Sequence, residues 1–140
     1  MKKSLLLGLL VLMPLVTWSY DSFEISNAAG MYLTSADIQQ KLSTSQCGYV
    51  IKKAPPTVEG RLQEILGYLN YADKIELEKF VRSSEFNQKM KNNDVIINDI
   101  KKAFIAEGYD EKTTCGLLLG TLSQMIAKGD SAWRNVIKFR

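Results

Sequence analysis

Two cysteines, Cys47 and Cys115, carry the most reactive side chains of this 140-residue sequence. They lie too far apart in the chain to form the C-x-x-C arrangement of a thioredoxin-type redox centre. In an oxidising compartment such a pair most simply forms a disulfide, and two free reactive thiols are the alternative. Because the bond would close a long loop, the chain-entropy model gives it about 4 kcal/mol of stabilisation.

Histidine is absent from the sequence, and Ser-His-Asp and Cys-His hydrolases need its imidazole as a base. With both cysteines oxidised, zinc would find only carboxylates as ligands, so we expect no metal and no cofactor. Glycosidase-like chemistry needs only two carboxylates, which leaves a carboxylate-only hydrolase as an alternative. Acidic residues such as Glu64 and Glu76 fall on predicted polar helix faces, where a solvated surface explains them. No catalytic residue is predicted, and we expect a protein that is not an enzyme.

The N-terminus has the pattern of a secretory signal. Two lysines precede an apolar run over 5–16, which closes on Thr17-Trp18-Ser19. This pattern predicts a signal peptide over 1–19, cleaved between Ser19 and Tyr20. The run is shorter than the roughly 20 residues that span a bilayer, and we expect no integral membrane segment after cleavage. The sequence therefore indicates a periplasmic or secreted protein.

The charges of the chain are nearly balanced. Lysine and arginine number 18 and aspartate and glutamate 15, and removal of Lys2 and Lys3 with the signal leaves 16 against 15. The basic residues are scattered, whereas a nucleic-acid-binding protein carries them in a patch or stripe. We therefore expect no nucleic-acid partner.

Beyond the signal, apolar residues recur at the helical spacings of three and four. They predict an all-α fold, a compact bundle of five or six helices with one disulfide, in a single domain over 35–140. Residues 20–34 show no clear period and are predicted to be an irregular lead-in. Ser35 is then the predicted N-cap of the first helix.

Cap and turn residues predict where the later helices begin and end. Gly108 is a candidate left-handed residue after a helix, and Gly129 a candidate stop for the last long helix. The polar stretch 83–94 predicts a solvated connection, with a projecting recognition loop as the functional alternative. The candidate N-caps are Thr57, Asp73 and either Asp110 or Thr113.

Gly116 and Gly120 have the small-xxx-small spacing that lets two helix backbones approach closely. In a helical bundle this spacing predicts a close crossing with the segment that bears Cys47. A homodimer seam is the alternative interpretation.

Large side chains outside the predicted core are candidates for partner contacts, because tryptophan and tyrosine are enriched at binding hot spots. We expect most aromatic residues to lie in the core. The candidate partner contacts are Tyr71, Met90, Tyr109 and Trp133.

A signal sequence, a helical body and the Cys47–Cys115 pair together resemble small periplasmic immunity or inhibitor proteins, such as those that protect bacteria against amidase toxins of type VI secretion. The resemblance is one of overall plan and assigns no residue a role. It implies a protein that binds a toxin or hydrolase in the periplasm and blocks its cleft, either as a monomer or as a homodimer. A periplasmic stress chaperone is the alternative among binding proteins.

Overall fold

Five α-helices and one short 3-10 turn make up the part of the chain that this computed structural model describes, residues 20–51 and 53–138. No strand occurs in those two ranges. The prediction of an all-α bundle is confirmed, and the predicted signal peptide lies outside the described residues. The elements are α1 (Ser22–Thr44), the turn (Gly48–Val50), α2 (Val58–Tyr68), α3 (Tyr71–Arg82), α4 (Ser84–Ala106) and α5 (Glu111–Ile137).

Helix α1 replaces the predicted irregular lead-in over 20–34, so that prediction is wrong. The carboxylate of Asp21 accepts a hydrogen bond from the backbone N–H of Glu24, whose carboxylate accepts one from the N–H of Asp21. This capping box starts the helix. Ser35, the predicted N-cap, lies in the middle of α1 and is buried. The four other helices all contact α1, and burial on several sides removes the one-sided apolar pattern that identifies a surface helix.

Several later boundaries follow the predicted cap residues. Thr57 and Asp110 cap α2 and α5 with side-chain oxygens, and Gly108 has the expected positive φ of 94°. Asn70 caps α3 in place of Asp73, which lies in the first turn. The polar stretch 83–94 is the cap and first half of α4, not a loop.

The disulfide between Cys47 and Cys115 is confirmed, with 5.3 Å between the two Cα atoms. It connects the segment after α1 to the second turn of α5, and both residues are buried. Around it lies one apolar cluster, which includes Ile38, Leu42 and Leu122. A second cluster, built around the opposite half of α1, contains the large side chains Ile25, Leu33, Ile65, Leu77, Phe86 and Trp133.

The close approach between α1 and α5 occurs at Gly129 and not at the predicted glycine pair. A Cβ atom added at Gly129 would lie 2.5 Å from the carbonyl oxygen of Met31. At Gly116 or Gly120 an added Cβ would meet no described atom within 4 Å, and both residues are exposed. The predicted close crossing at these two residues is therefore wrong. Gly129 does not end α5 either, since the helix continues to Ile137.

Among the described helices, none combines the length and the apolar character needed to cross a bilayer.

Candidate functional site

A groove with a volume of about 350 Å³ runs along α1 between α4 and α5. Its floor extends from Asn27 to Ile38, which is about 16 Å at the helical rise of about 1.5 Å per residue. The floor residues Asn27, Met31, Thr34 and Ile38 recur every three or four positions, so they share one face of α1. Hereafter this feature is called the α1 groove.

The absence of a side chain at Gly30 lets an aromatic ring of α3 pack directly against α1 in the groove. A Cβ atom at Gly30 would lie 2.8 Å from the ring of Phe80, which lines the groove. Ile96 lines the groove on the α4 side. Two methionines of the lining, Met31 and Met125, are 40% and 39% exposed. Methionine side chains are flexible and polarisable, so this lining can adapt its shape to an apolar ligand.

The charged side chains of the groove are both cationic. Lys89 lies on the α4 wall and Lys128 on the α5 wall, and no carboxylate is present among the described residues that line the groove. Glu85 pairs with Lys89 at 3.4 Å, but both side chains are more than half exposed. An exposed pair of this kind contributes little and is readily exchanged. The groove therefore presents a mostly apolar floor, interrupted by Asn27 and Thr34, between two walls that each carry a lysine.

A buried polar cluster holds α2 and α5 in place next to the groove floor. Arg61 of α2 donates from Nη1 to Oδ1 of Asp130 and to the carbonyl oxygen of Tyr32, both at 2.8 Å, and to the hydroxyl of Ser35. The Ser35 hydroxyl donates to the same Asp130 oxygen at 2.7 Å. The Arg61 guanidinium also lies 4.0 Å from the centroid of the Tyr32 ring. These contacts join three helices and satisfy a buried arginine.

Ser35 is held within this cluster by its polar neighbours. Ser35 contacts the Asp130 carboxylate, but Ser35 is only 1% exposed, and Arg61 neutralises the carboxylate. The Ser35 hydroxyl is thus engaged with Asp130 and Arg61 in the core. The arrangement therefore fixes the positions of the helices that form the groove.

A second polar cluster fixes the α4 wall to α1. Nζ of Lys41 lies 2.9 Å from Asp37 and 3.0 Å from Asp94, and it donates to the carbonyl oxygen of Met90 at 2.8 Å. Asn93 donates to the same Asp37 carboxylate. Burial disfavours the charged form of Lys41, but hydrogen bonds and charges from the two aspartates outweigh it and raise its pKa above the ordinary value. The lysine is therefore charged at every physiological pH.

Four residues were predicted to contact a partner. The prediction is wrong for Trp133, which is buried, whereas Met90 adjoins the groove. Trp133 is 1% exposed, because its ring packs against Tyr32 and Tyr68 with centroids 6.1 and 6.3 Å away. A tryptophan at this position fills the core between α1, α2 and α5. Met90 is half-buried, with its sulfur 3.9 Å from the hydroxyl oxygen of Thr34 in the groove floor.

Tyr71 and Tyr109 are exposed but do not line the α1 groove. Tyr71 begins α3, close to Asp73, which accepts a hydrogen bond from Ser22 at the start of α1. Tyr109 precedes α5 and lies close in sequence to Cys115, whose disulfide partner follows the end of α1. The two tyrosines are therefore near opposite ends of α1 and do not form one patch.

The carboxylates considered for hydrolysis lie on different helices. Glu64 of α2 accepts hydrogen bonds from the Tyr32 hydroxyl at 3.2 and 3.3 Å, and Glu76 of α3 pairs with Lys79 at 2.8 Å. Burial raises the pKa of Tyr32, and the neighbouring Glu64 adds to this effect against the opposing charge of Arg61. The described residues contain no cluster of three or more potential metal-binding side chains.

The groove lysines and Arg61 were not singled out by the sequence prediction. Lys89 lies in the stretch predicted as a connection, and Lys128 follows an apolar run. The sequence does contain an indication that Arg61 is buried. It lies four residues before Ile65 and therefore on the same, buried face of α2. A charged residue on an apolar face indicates a buried partner.

Comparison with known protein families, with curated proteins and with solved structures found no match for this chain. The groove and the clusters that frame it are therefore the basis for assigning a function.

Proposed function

We propose that this chain is an exported binding protein that neutralises a toxin or hydrolase in the periplasm. The observation that supports this proposal is the α1 groove, an apolar channel with cationic walls on a helical frame. Its volume of about 350 Å³ lies at the small end of the range for ligand sites, about 300–1,000 Å³. The exposed methionines that line it, Met31 and Met125, suit contact with a protein surface that extends beyond the channel.

The frame around the groove supports a role in binding. Two polar clusters and a disulfide hold α1, α2, α4 and α5 together. A site on packed helices is more precise than one on loops, and a preformed site loses less entropy when the partner binds. These features favour tight one-to-one recognition.

Export is supported by the disulfide together with the N-terminal pattern. Disulfides persist in oxidising compartments such as the periplasm and are rare in the cytosol. The charged and apolar segments over 1–19 are typical of a secretory signal. Both features suit a protein that meets its partner outside the cytosol.

A protection assay tests this proposal. The full chain is expressed in cells that also direct a candidate toxin or hydrolase to the periplasm, one candidate enzyme in each strain. We expect survival against one of these enzymes, and inhibition of that purified enzyme at one-to-one stoichiometry. A matched control lacks residues 2–19, stays in the cytosol and should give no protection. The proposal fails if none of the enzymes binds the purified chain more tightly than micromolar.

A further inference from the structure

We infer that the α1 groove receives an amphipathic helix of about three turns from the partner protein, with carboxylates on both sides of its apolar stripe. This inference rests on the proposed function and specifies the chemistry of the partner. It assigns the binding role to the groove walls, Lys89 and Lys128, and to the apolar floor between them.

The length of the groove supports a helix of this size. The floor from Asn27 to Ile38 extends about 16 Å, and one helical turn rises about 5.4 Å. Three turns of an added helix therefore match the floor from end to end. Helix-in-groove recognition places apolar anchors at positions i, i+4 and i+7, which lie on one helix face. The Phe80 ring and Ile96 give such anchors apolar surfaces near the floor.

The charge distribution specifies the flanks of the partner helix. Lys89 and Lys128 stand on opposite walls, on α4 and α5, and the described lining residues include no carboxylate. A helix seated between them would bring its flanking residues to a cation on each side. Complementary charges at the rim of an interface increase the association rate and reject partners with like charges. Carboxylates on both flanks satisfy this requirement, whereas lysines there would be repelled.

The lysine pair would make the groove selective even though the methionines that line it can adapt their shape. Met31 and Met125 can rearrange around different apolar anchors, which alone would make the site permissive. The two lysines restrict the permitted partners by charge. Specificity for one enzyme can therefore arise from the flanking charges of its helix, with the anchors supplying contact area.

Two helical peptides test the inference on the full chain purified after export. One lactam-bridged peptide of about three turns carries leucines at i, i+4 and i+7 with glutamates on both flanks. The control peptide carries lysines in place of every glutamate. Fluorescence anisotropy gives the affinities for the natural chain, for Lys89→Glu/Lys128→Glu, and for the matched control Lys91→Glu/Lys102→Glu. Both control positions are exposed on α4 outside the groove lining and undergo the same change of charge.

We expect the natural chain to bind the acidic peptide at least about tenfold more tightly than the basic one. The groove variant should reverse that preference, and the control variant should keep it with an affinity within about twofold of the natural chain. Thermal denaturation of both variants verifies that they remain folded. Equal affinities for the two peptides, no saturable binding of the acidic peptide, or an unchanged preference in the groove variant would each overturn the inference. Self-association of the chain that the groove variant abolishes would assign the groove to a second copy and would also overturn it.

The proposed function can fail separately. If a hydrolase is neutralised equally well by the natural chain and by Lys89→Glu/Lys128→Glu, the groove assignment is wrong and the function stands. If the acidic peptide binds as expected but no exported hydrolase is neutralised, the function is wrong and the groove assignment stands.

Discussion

Replacement of Gly129 by alanine should loosen the contact between α1 and α5 next to the groove. The added Cβ atom would lie 2.5 Å from the Met31 carbonyl oxygen and 2.8 Å from the Cβ of Ser35, whereas ordinary contact begins at 3.4 Å. The obstacle is the backbone of a buried helix, which cannot rotate away as a side chain would. The two helices must therefore move apart by most of an ångström.

The size of the effect follows from two opposing terms. Overpacking costs about 1–3 kcal/mol, and a backbone obstacle favours the upper end. Alanine in place of glycine within a helix regains about 1 kcal/mol, so Gly129→Ala should lower the free energy of unfolding by about 2 kcal/mol. Gly120→Ala on the exposed face of the same helix has only the favourable term and should raise it by about 1 kcal/mol.

Thermal unfolding monitored by circular dichroism distinguishes these outcomes. For a folded domain of about 120 residues, 1 kcal/mol corresponds to roughly 4 °C in Tm. Gly129→Ala should therefore lower Tm by about 8 °C and Gly120→Ala should raise it by about 4 °C. Shifts of the same sign and size in the two variants would refute the close approach at Gly129.

Three further perturbations test the framework of the bundle. Replacing Cys47 and Cys115 by alanine should lower the free energy of unfolding by up to about 4 kcal/mol, because the disulfide spans 68 residues. Urea titration measures this change, and an unchanged urea midpoint would contradict the expectation. Arg61→Met should lower the free energy of unfolding by about 2–3 kcal/mol, because it leaves the partly buried Asp130 carboxylate unpaired. Arg61→Met/Asp130→Leu should recover most of this loss. An equal loss in the double variant would be inconsistent with a charge effect. Hydrogen bonds from Thr113 lower the pKa of Asp110. The ionised Asp110 carboxylate therefore stabilises the fold above the ordinary aspartate pKa of about 3.9, and this stabilisation disappears as the pH falls through the lowered pKa. The Tm difference between the natural chain and Asp110→Asn should therefore shrink in acid, and a difference that grows below pH 4 or so would contradict this sign.

Features that depend on a few neighbouring residues could be predicted from the sequence. Thr57 and Asp110 cap their helices because a short oxygen-bearing side chain reaches the N–H three residues on. Gly108 takes the left-handed conformation that follows many helices. The disulfide was predictable from the cysteine count and the signal pattern together.

Features that depend on the packing of several helices could not be predicted from the sequence. Helix α1 lacks a one-sided apolar pattern because helices surround it, and the sequence of its first half therefore predicts an irregular segment. The spacing of Gly116 and Gly120 indicates a helix face that another helix could approach closely. It does not indicate whether that face of α5 is turned toward the core or toward solvent. Gly129, isolated in the sequence, is the glycine that contacts α1.

The candidate site belongs to this second class. The α1 groove combines residues of α1, α3, α4 and α5, and its two lysines are 39 positions apart in the sequence. Their opposition across an apolar floor appears only when the helices are assembled. Arg61 is the exception, because its place among the apolar residues of α2 already indicated a buried partner.

Methyl NMR of the chain, purified with its disulfide formed and with 13C-labelled methionine and titrated with the acidic helical peptide, probes the groove directly. The resonances of Met31 and Met125, which line the groove, should shift saturably in step with the anisotropy signal. The resonance of Met90, which adjoins the groove without lining it, should move less. Unchanged Met31 and Met125 resonances at saturating peptide would contradict the assignment of this groove as the binding site.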